Sequence, residues 1–273
     1  MPTDWDREAQ ASPPECPRLL EWAPGVIVPE LVAHKIQVWL VELDGGMGPF
    51  DDVDTAEPGA ELELLSPDER VRGARFIRAR DRRRFVWCRA ALRQILGALL
   101  AMPAQLVPLR AGGQGKPEIE FDPSVTMAAD WSHWLRFNVS HSAELGLIGV
   151  CRGREIGVDL EKVRALSEAT RIVASFFSAE EQAEFSRIPP DQQASAFTRG
   201  WTRKEAVLKG LGVGLAGLAA HYETGFGTHE LRPEFAPASP SPRVKEWRLW
   251  EAAVRPGFVA AVAVHEPGAM SRD

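Results

Sequence analysis

Cysteine is scarce: Cys16, Cys88 and Cys151 are the only three in 273 residues, far apart and without the paired spacing of metal ligands. That argues against a disulfide scaffold or a zinc site and fits buried or surface thiols in a reducing compartment. No apolar run approaches the ~20 residues that a membrane-spanning helix needs. The stretch from Met1 to Glu8 is polar and acidic, unlike a secretory leader. Excess positive charge is also missing: 38 acidic against 32 basic residues leave a formal net charge of -6. Sequence-independent nucleic-acid binding requires the neutralisation of phosphates, so that class is excluded. The expectation is a cytoplasmic protein with neither a membrane nor a nucleic acid as partner.

What is present suffices for a proper core. With 45% hydrophobic and 26% charged residues, the chain can build one large domain or two small ones. Residues 1–30, rich in Pro, Glu and Asp, read as a poorly ordered lead-in. Ile36 to Leu43 reads as a strand, being β-branched and aromatic. Ser66, Pro67 and Glu69 mark a helix start with a capping box, and a second helix is expected from Asp81 to Met102. Phe137 to Val150 reads as two strands around a turn, and Glu155 to Glu161 as another strand. Ser178 and Glu181 form a second capping box, and a helix is expected over Ala194 to Leu211. Trp247 to Val254 and Phe258 to Val264 close the chain as a hairpin. The order strand, helices, strands thus occurs twice, which implies an α+β fold: a pseudo-twofold pair of similar halves, 31–150 and 151–273, with the active site between them.

Two segments carry the chemistry. In Ile156-Gly157-Val158-Asp159-Leu160-Glu161, strand alternation sends Ile156, Val158 and Leu160 to one face and Gly157, Asp159 and Glu161 to the other. Two carboxylates on one face are either a solvated edge or a seat for a hard divalent cation, which relieves their repulsion. In Trp201-Thr-Arg-Lys-Glu-Ala-Val-Leu-Lys209, Trp201, Glu205 and Lys209 share one helix face. Glu205 and Lys209 are either a surface ion pair or a third carboxylate and a phosphate-holding ammonium, and the nearby tryptophan argues for a covered face.

Three further features bear on phosphate. Lys116, between Gly115 and Pro117, is either part of a plain turn or a lysine aimed at a ligand. Asn138 and Ser140 share a strand face, while His141 and Ser142 are expected to begin a turn. Between Arg70 and Arg93 lie ten arginines, with only three acidic residues from Ser66 onward. Such a cluster is an anion-binding surface or a solvated helix face.

Taken together and in this order, Gly115-Lys116-Pro117, Phe137-Asn-Val-Ser-His141-Ser142, Ile156-Gly-Val-Asp159-Leu-Glu161, Phe176-Phe-Ser-Ala-Glu-Glu181 and Trp201-Thr-Arg-Lys204-Glu205-Ala-Val-Leu-Lys209 resemble the phosphopantetheinyl transferases of the surfactin-synthetase-activating type, a monomeric, pseudo-dimeric class. The resemblance covers about residues 62–265. It implies transfer of the 4'-phosphopantetheine arm of coenzyme A to a serine of an acyl or peptidyl carrier protein, with Mg2+ and release of 3',5'-adenosine bisphosphate. It also implies a magnesium site at Asp159, Glu161 and Glu205, and a pyrophosphate contact at Lys209. Ser140 and His141 would meet the 3'-phosphate, with Lys116 beside the nucleotide and Arg72 and Arg84 as further phosphate contacts. Gly115, Pro117 and Asn138 complete the expected coenzyme A site. Glu69 stands where the family has a basic residue, and Phe121 to Arg136 reads as a surface insertion. Carrier docking is expected along Ala206 to His221, aided by the arginine-rich region. The alternatives are a non-catalytic coenzyme A or carrier-binding module and a magnesium-dependent hydrolase of nucleotide pyrophosphates. The intact set of Asp159, Glu161, Glu205 and Lys209 argues against the first, and a carrier requirement separates transfer from the second.

Overall fold

The computed structural model describes residues 14–32, 35–45, 58–112, 116–120, 134–213, 219–227, 235–237 and 246–266. In chain order the elements are β1 (Arg18–Trp22), β2 (Ile36–Glu42), α1 (Pro67–Ala74), α2 (Ala79–Leu99), β3 (Leu109–Ala111), β4 (Pro117–Ile119), β5 (Leu135–Ser142), β6 (Leu145–Arg152), β7 (Ile156–Lys162), α3 (Ala169–Phe176), α4 (Ala179–Ser186), α5 (Pro190–Leu211), β8 (Ala236–Pro237), β9 (Trp247–Arg255) and β10 (Phe258–His265). The fold is α+β, with strand order β1-β2-β6-β5 in one sheet, β7-β10-β9-β8 in a second, and a small β3-β4 hairpin. Among the described residues only β1 and β2 pair in parallel; the other pairs are antiparallel.

Strand alternation divides each sheet into two apolar faces. Val38, Leu40, Leu145 and Leu147 from the first sheet meet Val158, Leu160, Ala260 and Val262 from the second in one shared core. The intervening residues Trp39, Val41, Ile148 and Val150 turn outward and are covered by Trp87, Ala91, Ile95 and Leu96 of α2. Leu249, Ala261 and Ala263 on the outer face of the second sheet are covered by Ala206 and Val207 of α5. Each long helix therefore roofs one sheet, and the sheets share what lies between them.

Both capping boxes form. Ser66 Oγ accepts the Glu69 amide while the Glu69 carboxylate accepts the Ser66 amide, and Ser178 and Glu181 do the same at α4. The helix ends differ from the sequence expectation: α2 runs Ala79–Leu99 and α5 starts earlier, at Pro190, which supplies a preset φ in the first turn. α5 stops at Gly212, whose φ of 71° lies in the left-handed region that a side chain disfavours.

One expectation is corrected in part. Within the lead-in 1–30, residues 18–22 are an edge strand rather than loose chain. Trp22 is buried and sits edge-to-face on Trp87, with ring centroids 5.6 Å apart, and Leu19 packs on the shared core. Apolar anchoring outweighs the Pro-rich flanks. Residues 1–13, Gly115 and residues 121–133 of the expected insertion lie outside the described residues; Leu135 and Arg136 already belong to β5. Among the described residues no helix is long and apolar enough to cross a membrane.

Candidate active site

The site forms where α5 lies against β7. Gly157 makes that approach possible: a Cβ there would overlap the Ala206 carbonyl oxygen and the Gly210 amide. With the backbones this close, Lys209 Nζ donates to Asp159 Oδ1 at 2.6 Å. Asp159 is only 2% exposed, which rules out the solvated-edge reading of its strand face. Its second oxygen, Oδ2, is buried and has no hydrogen-bond partner. A buried carboxylate oxygen left unsatisfied is costly, and a cation or ligand donor would relieve it.

β5 reaches the same place from the other sheet. Asn138 Oδ1 accepts the Val158 amide at 3.1 Å, Ser140 Oγ the Leu160 amide at 3.3 Å, and Ser142 Oγ the Lys162 amide at 3.2 Å. Every second residue of β5 thus satisfies every second amide of β7, with side chains standing in for a backbone ladder between the two sheets' edge strands. The serines also touch the carboxylates: Ser140 Oγ donates to Asp159 Oδ1 and Ser142 Oγ to Glu161 Oε2, both at 2.8 Å. Lys209 Nζ adds a bond to Ser140 Oγ at 3.0 Å. A hydroxyl has one donor and two acceptor sites, so Ser140 is saturated by protein. Ser142 is the last residue of β5 and not the start of a turn, because its hydroxyl is held by β7. The sequence expectation gave Ser142 no binding role; the signal was the polar spacing of 138, 140 and 142 along one face of the strand.

Two of the three expected carboxylates, Glu161 and Glu205, are perturbed by burial and by the charge of Asp159. Burial, then the charge of Asp159, raises Glu161 above the ordinary carboxylate range, against the Ser142 hydrogen bond. Burial and Asp159 push Glu205 up to about 7, with Lys209 opposing and Glu161 adding. Burial alone would lower the Lys209 ammonium, but Asp159, Glu205 and Glu161 more than offset it and its pKa is raised. Asp159, Glu161, Glu205 and Lys209 therefore share one electrostatic neighbourhood, two from β7 and two from α5. Among the described residues, no three carboxylate, histidine or cysteine side chains are arranged to enclose a metal ion as they stand. The donor set nevertheless suits a hard cation: oxygen ligands, mutual repulsion that a divalent ion would cancel, and an orphaned oxygen on Asp159.

The basic residues divide. Lys116 Nζ, immediately before the second strand of the β3–β4 hairpin, donates to the Lys209 carbonyl at 3.0 Å and so engages the C-terminal turn of α5. Burial lowers its pKa. Beside it is a cleft of about 280 Å3, walled by Pro117, Ile119, Leu135 and Phe137 and edged by Arg136 and Glu155. His141 is exposed near the end of β5, where desolvation and then the charges of Lys209 and Arg89 lower its pKa. Arg84 is engaged elsewhere: Nε and Nη2 bind Asp44 at 2.8 and 2.5 Å, so a phosphate must displace that carboxylate. Arg72 is exposed, with its guanidinium 5.5 Å from the Phe85 ring centre.

Glu69 has structural work that a phosphate-binding base could not do. Besides its cap it binds buried Arg93 at 2.6 Å and Arg89 at 3.4 Å, tying α1 to α2. Of the apolar run expected to dock a carrier, Ala206, Val207 and Leu208 are core, so they are not a surface; residues 214–218 lie outside the described residues.

Comparison with known sequences bears on the same residues. A profile described as the 4'-phosphopantetheinyl transferase superfamily matches residues 155–262, and one described as 4'-phosphopantetheinyl transferase, N-terminal, matches 55–151. The chain is 32% identical over 245 residues to the 4'-phosphopantetheinyl transferase HetI of Nostoc sp., covering 89% of this chain and 93% of that protein. It is 27% identical over 227 residues to the 4'-phosphopantetheinyl transferase psf-1 of Bacillus pumilus, covering 81% and 88%. Human L-aminoadipate-semialdehyde dehydrogenase-phosphopantetheinyl transferase is 24% identical over 219 residues, covering 76% and 69%.

Proposed function

The chain belongs to the 4'-phosphopantetheinyl transferase family, and from that premise we propose that Asp159, Glu161 and Glu205 hold a magnesium ion over which Lys209, His141 and Lys116 orient coenzyme A. The activity is transfer of the phosphopantetheine arm to a carrier-protein serine. The observation that carries the site is the unpartnered, buried Oδ2 of Asp159 inside a group of three carboxylates and one ammonium.

When bound, the ion supplies neutralisation of the pyrophosphate charge and a Lewis acid at its oxygens. Lys209 holds a phosphate oxygen and stabilises the charge that develops as the phosphoanhydride breaks. Glu205 accepts the carrier serine proton. The serine oxygen bonds to the β-phosphorus on the pantetheine side; the bond from that phosphorus to the bridging oxygen breaks, and 3',5'-adenosine bisphosphate leaves with the electron pair. The cleft beside Lys116 takes the nucleotide, lined by Pro117 with Gly115 preceding it. His141 faces the 3'-phosphate. Ser140 and Asn138, whose polar groups are engaged with β7, serve that seat through the strand. Arg72 and Arg84 form a basic rim, Arg84 by exchanging Asp44 for phosphate.

The repeat of a Ser-capped short helix, a long helix and a sheet supports a pseudo-twofold relation between the halves 31–150 and 151–273. Apart from Lys209, the coenzyme contacts lie in the first half, and the ion and carrier contacts lie in the second. One chain supplies both, so a monomer acting in the cytoplasm is sufficient.

The test is mass spectrometry of apo carriers incubated with coenzyme A, Mg2+ and the protein. The arm's mass should appear on the carrier only when Mg2+ is present. Coenzyme A consumed in the absence of a carrier would indicate hydrolysis instead. Glu205→Gln should lower the transfer rate about 100-fold or more while coenzyme A binding falls far less. Equal losses would reduce Glu205 to an ion holder.

A further inference from the structure

The mechanism above leaves Ser142 without a part, yet it is bonded on both sides. Its hydroxyl donates to Glu161 Oε2 at 2.8 Å and accepts the Lys162 amide at 3.2 Å. The bonds come from opposite ends of one hydroxyl, so the Glu161 side chain is held against its own strand by a residue of the other sheet. Ser140 does the same for Asp159 and the Leu160 amide. The two carboxylates that face α5 are thus each anchored through one oxygen by a β5 hydroxyl. The difference is that Asp159 has a second anchor in Lys209, whereas among the described residues Ser142 is the one hydrogen-bond donor to the Glu161 carboxylate.

We propose that Ser142 is a positioning residue for phosphopantetheinyl transfer, fixing the Glu161 carboxylate beside Asp159 so that the site's geometry is set by the register between β5 and β7. This rests on the reading of Asp159, Glu161 and Glu205 as the ion-holding group. Without the hydroxyl, Glu161 rotates among its rotamers, and repulsion from the neighbouring Asp159 carboxylate favours an outward one. Groups that orient a metal's carboxylates through hydrogen bonds typically contribute 10- to 100-fold to affinity or rate. Ser142 is half-buried at the strand end and followed by a turn, so its loss should leave the fold intact. A neighbouring ion pair, Lys162 to Glu144 at 2.9 Å, holds the same corner independently.

The experiment compares the full-length wild type with Ser142→Ala and Ser142→Thr, reading Mg2+ affinity by calorimetry in the absence of carrier and then kcat and KM for coenzyme A. Ser142→Ala should bind Mg2+ about 10-fold more weakly, lower kcat by a similar factor, and leave KM for coenzyme A within about twofold. Ser142→Thr, which keeps the hydroxyl, should recover most of both losses. Thermal melts in EDTA should coincide for all three proteins. Wild type that binds Mg2+ beside an equally tight Ser142→Ala overturns this proposal and leaves the ion site standing. Loss of binding that tracks a lowered melting point and is not recovered by threonine reduces Ser142 to a structural residue. Wild type that binds no Mg2+ overturns the ion site and this proposal together.

Discussion

Glu205 is the residue whose environment says most about its task. In the unfolded chain it titrates near 4.5, whereas in the fold burial and Asp159 push it up to about 7. Between those values the native protein keeps a proton that the unfolded chain has lost. The ion-free protein therefore loses stability as pH rises from 4.5 toward 7. Mg2+ requires the deprotonated carboxylate, so it competes with that proton below pH 7 and replaces the missing charge balance above it. The expected outcome is a larger rise in melting temperature on adding Mg2+ at pH 8 than at pH 6, each measured against EDTA. Equal rises at both values would remove Glu205 from the ion's ligands. The residues taking part were legible in the sequence: Asp159 and Glu161 by strand alternation, Glu205 and Lys209 by helical spacing. Their perturbation was not, because it arises from burial and from a charge on another element. Arg84 shows the converse. The family resemblance implied a phosphate contact there, but Asp44, forty residues away, fills its fork.

At the scale of elements, the contact between β7 and α5 decides whether the site exists. Gly157 and Gly210 are what allow it: a Cβ on Gly157 would strike α5 backbone, and one on Gly210 would strike the Trp247 ring. Backbone cannot yield as a flexible side chain can, so Gly157→Ala must push α5 outward. Overpacking of this kind costs about 1–3 kcal/mol, and the upper end is expected where both partners are main chain. Denaturant midpoints should fall accordingly. Transfer should fall further than stability explains, because a shift of α5 carries Glu205 and Lys209 away from Asp159. A folded Gly157→Ala protein with wild-type transfer would show that the close approach is not needed. Alternation also placed Ile156, Val158 and Leu160 in the core, where they are. The side-chain ladder from Asn138, Ser140 and Ser142 was not readable, since hydroxyl and amide partners across a sheet boundary depend on how the sheets meet. The edge strand Arg18–Trp22 escaped for a related reason: its short run gains order only from β2 and Trp87.

For the whole molecule, the question is whether the two sheets form two folding units or one. Each sheet has its own roof, α2 or α5, which by itself suggests independence. The layer between them argues otherwise. Val38, Leu40 and Leu147 from one sheet and Val158, Val262 and Val264 from the other are each at most 1% exposed and pack in one shared cluster. Gly149 of β6 lies so close to Val158 of β7 that a Cβ would overlap it, so the faces interlock rather than merely touch. Separation would bare this apolar layer and also leave the buried Val158 and Leu160 amides without the side chains that satisfy them. Each amide left unpaired in a buried setting costs about 1–3 kcal/mol. Burial of the apolar layer adds about 25 cal/mol for every Å2 kept from water. The halves should therefore unfold together. Circular dichroism and tryptophan fluorescence should give coincident denaturation curves, even though Trp39 and Trp87 report on one half and Trp247 and Trp250 on the other. Leu147→Ala and Val262→Ala should each lower the single midpoint without splitting the transition. A curve that divides into two steps, with each substitution moving only its own step, would mean that the seam is a docking contact between independent domains. The site would then be assembled by docking, instead of being fixed when the chain folds.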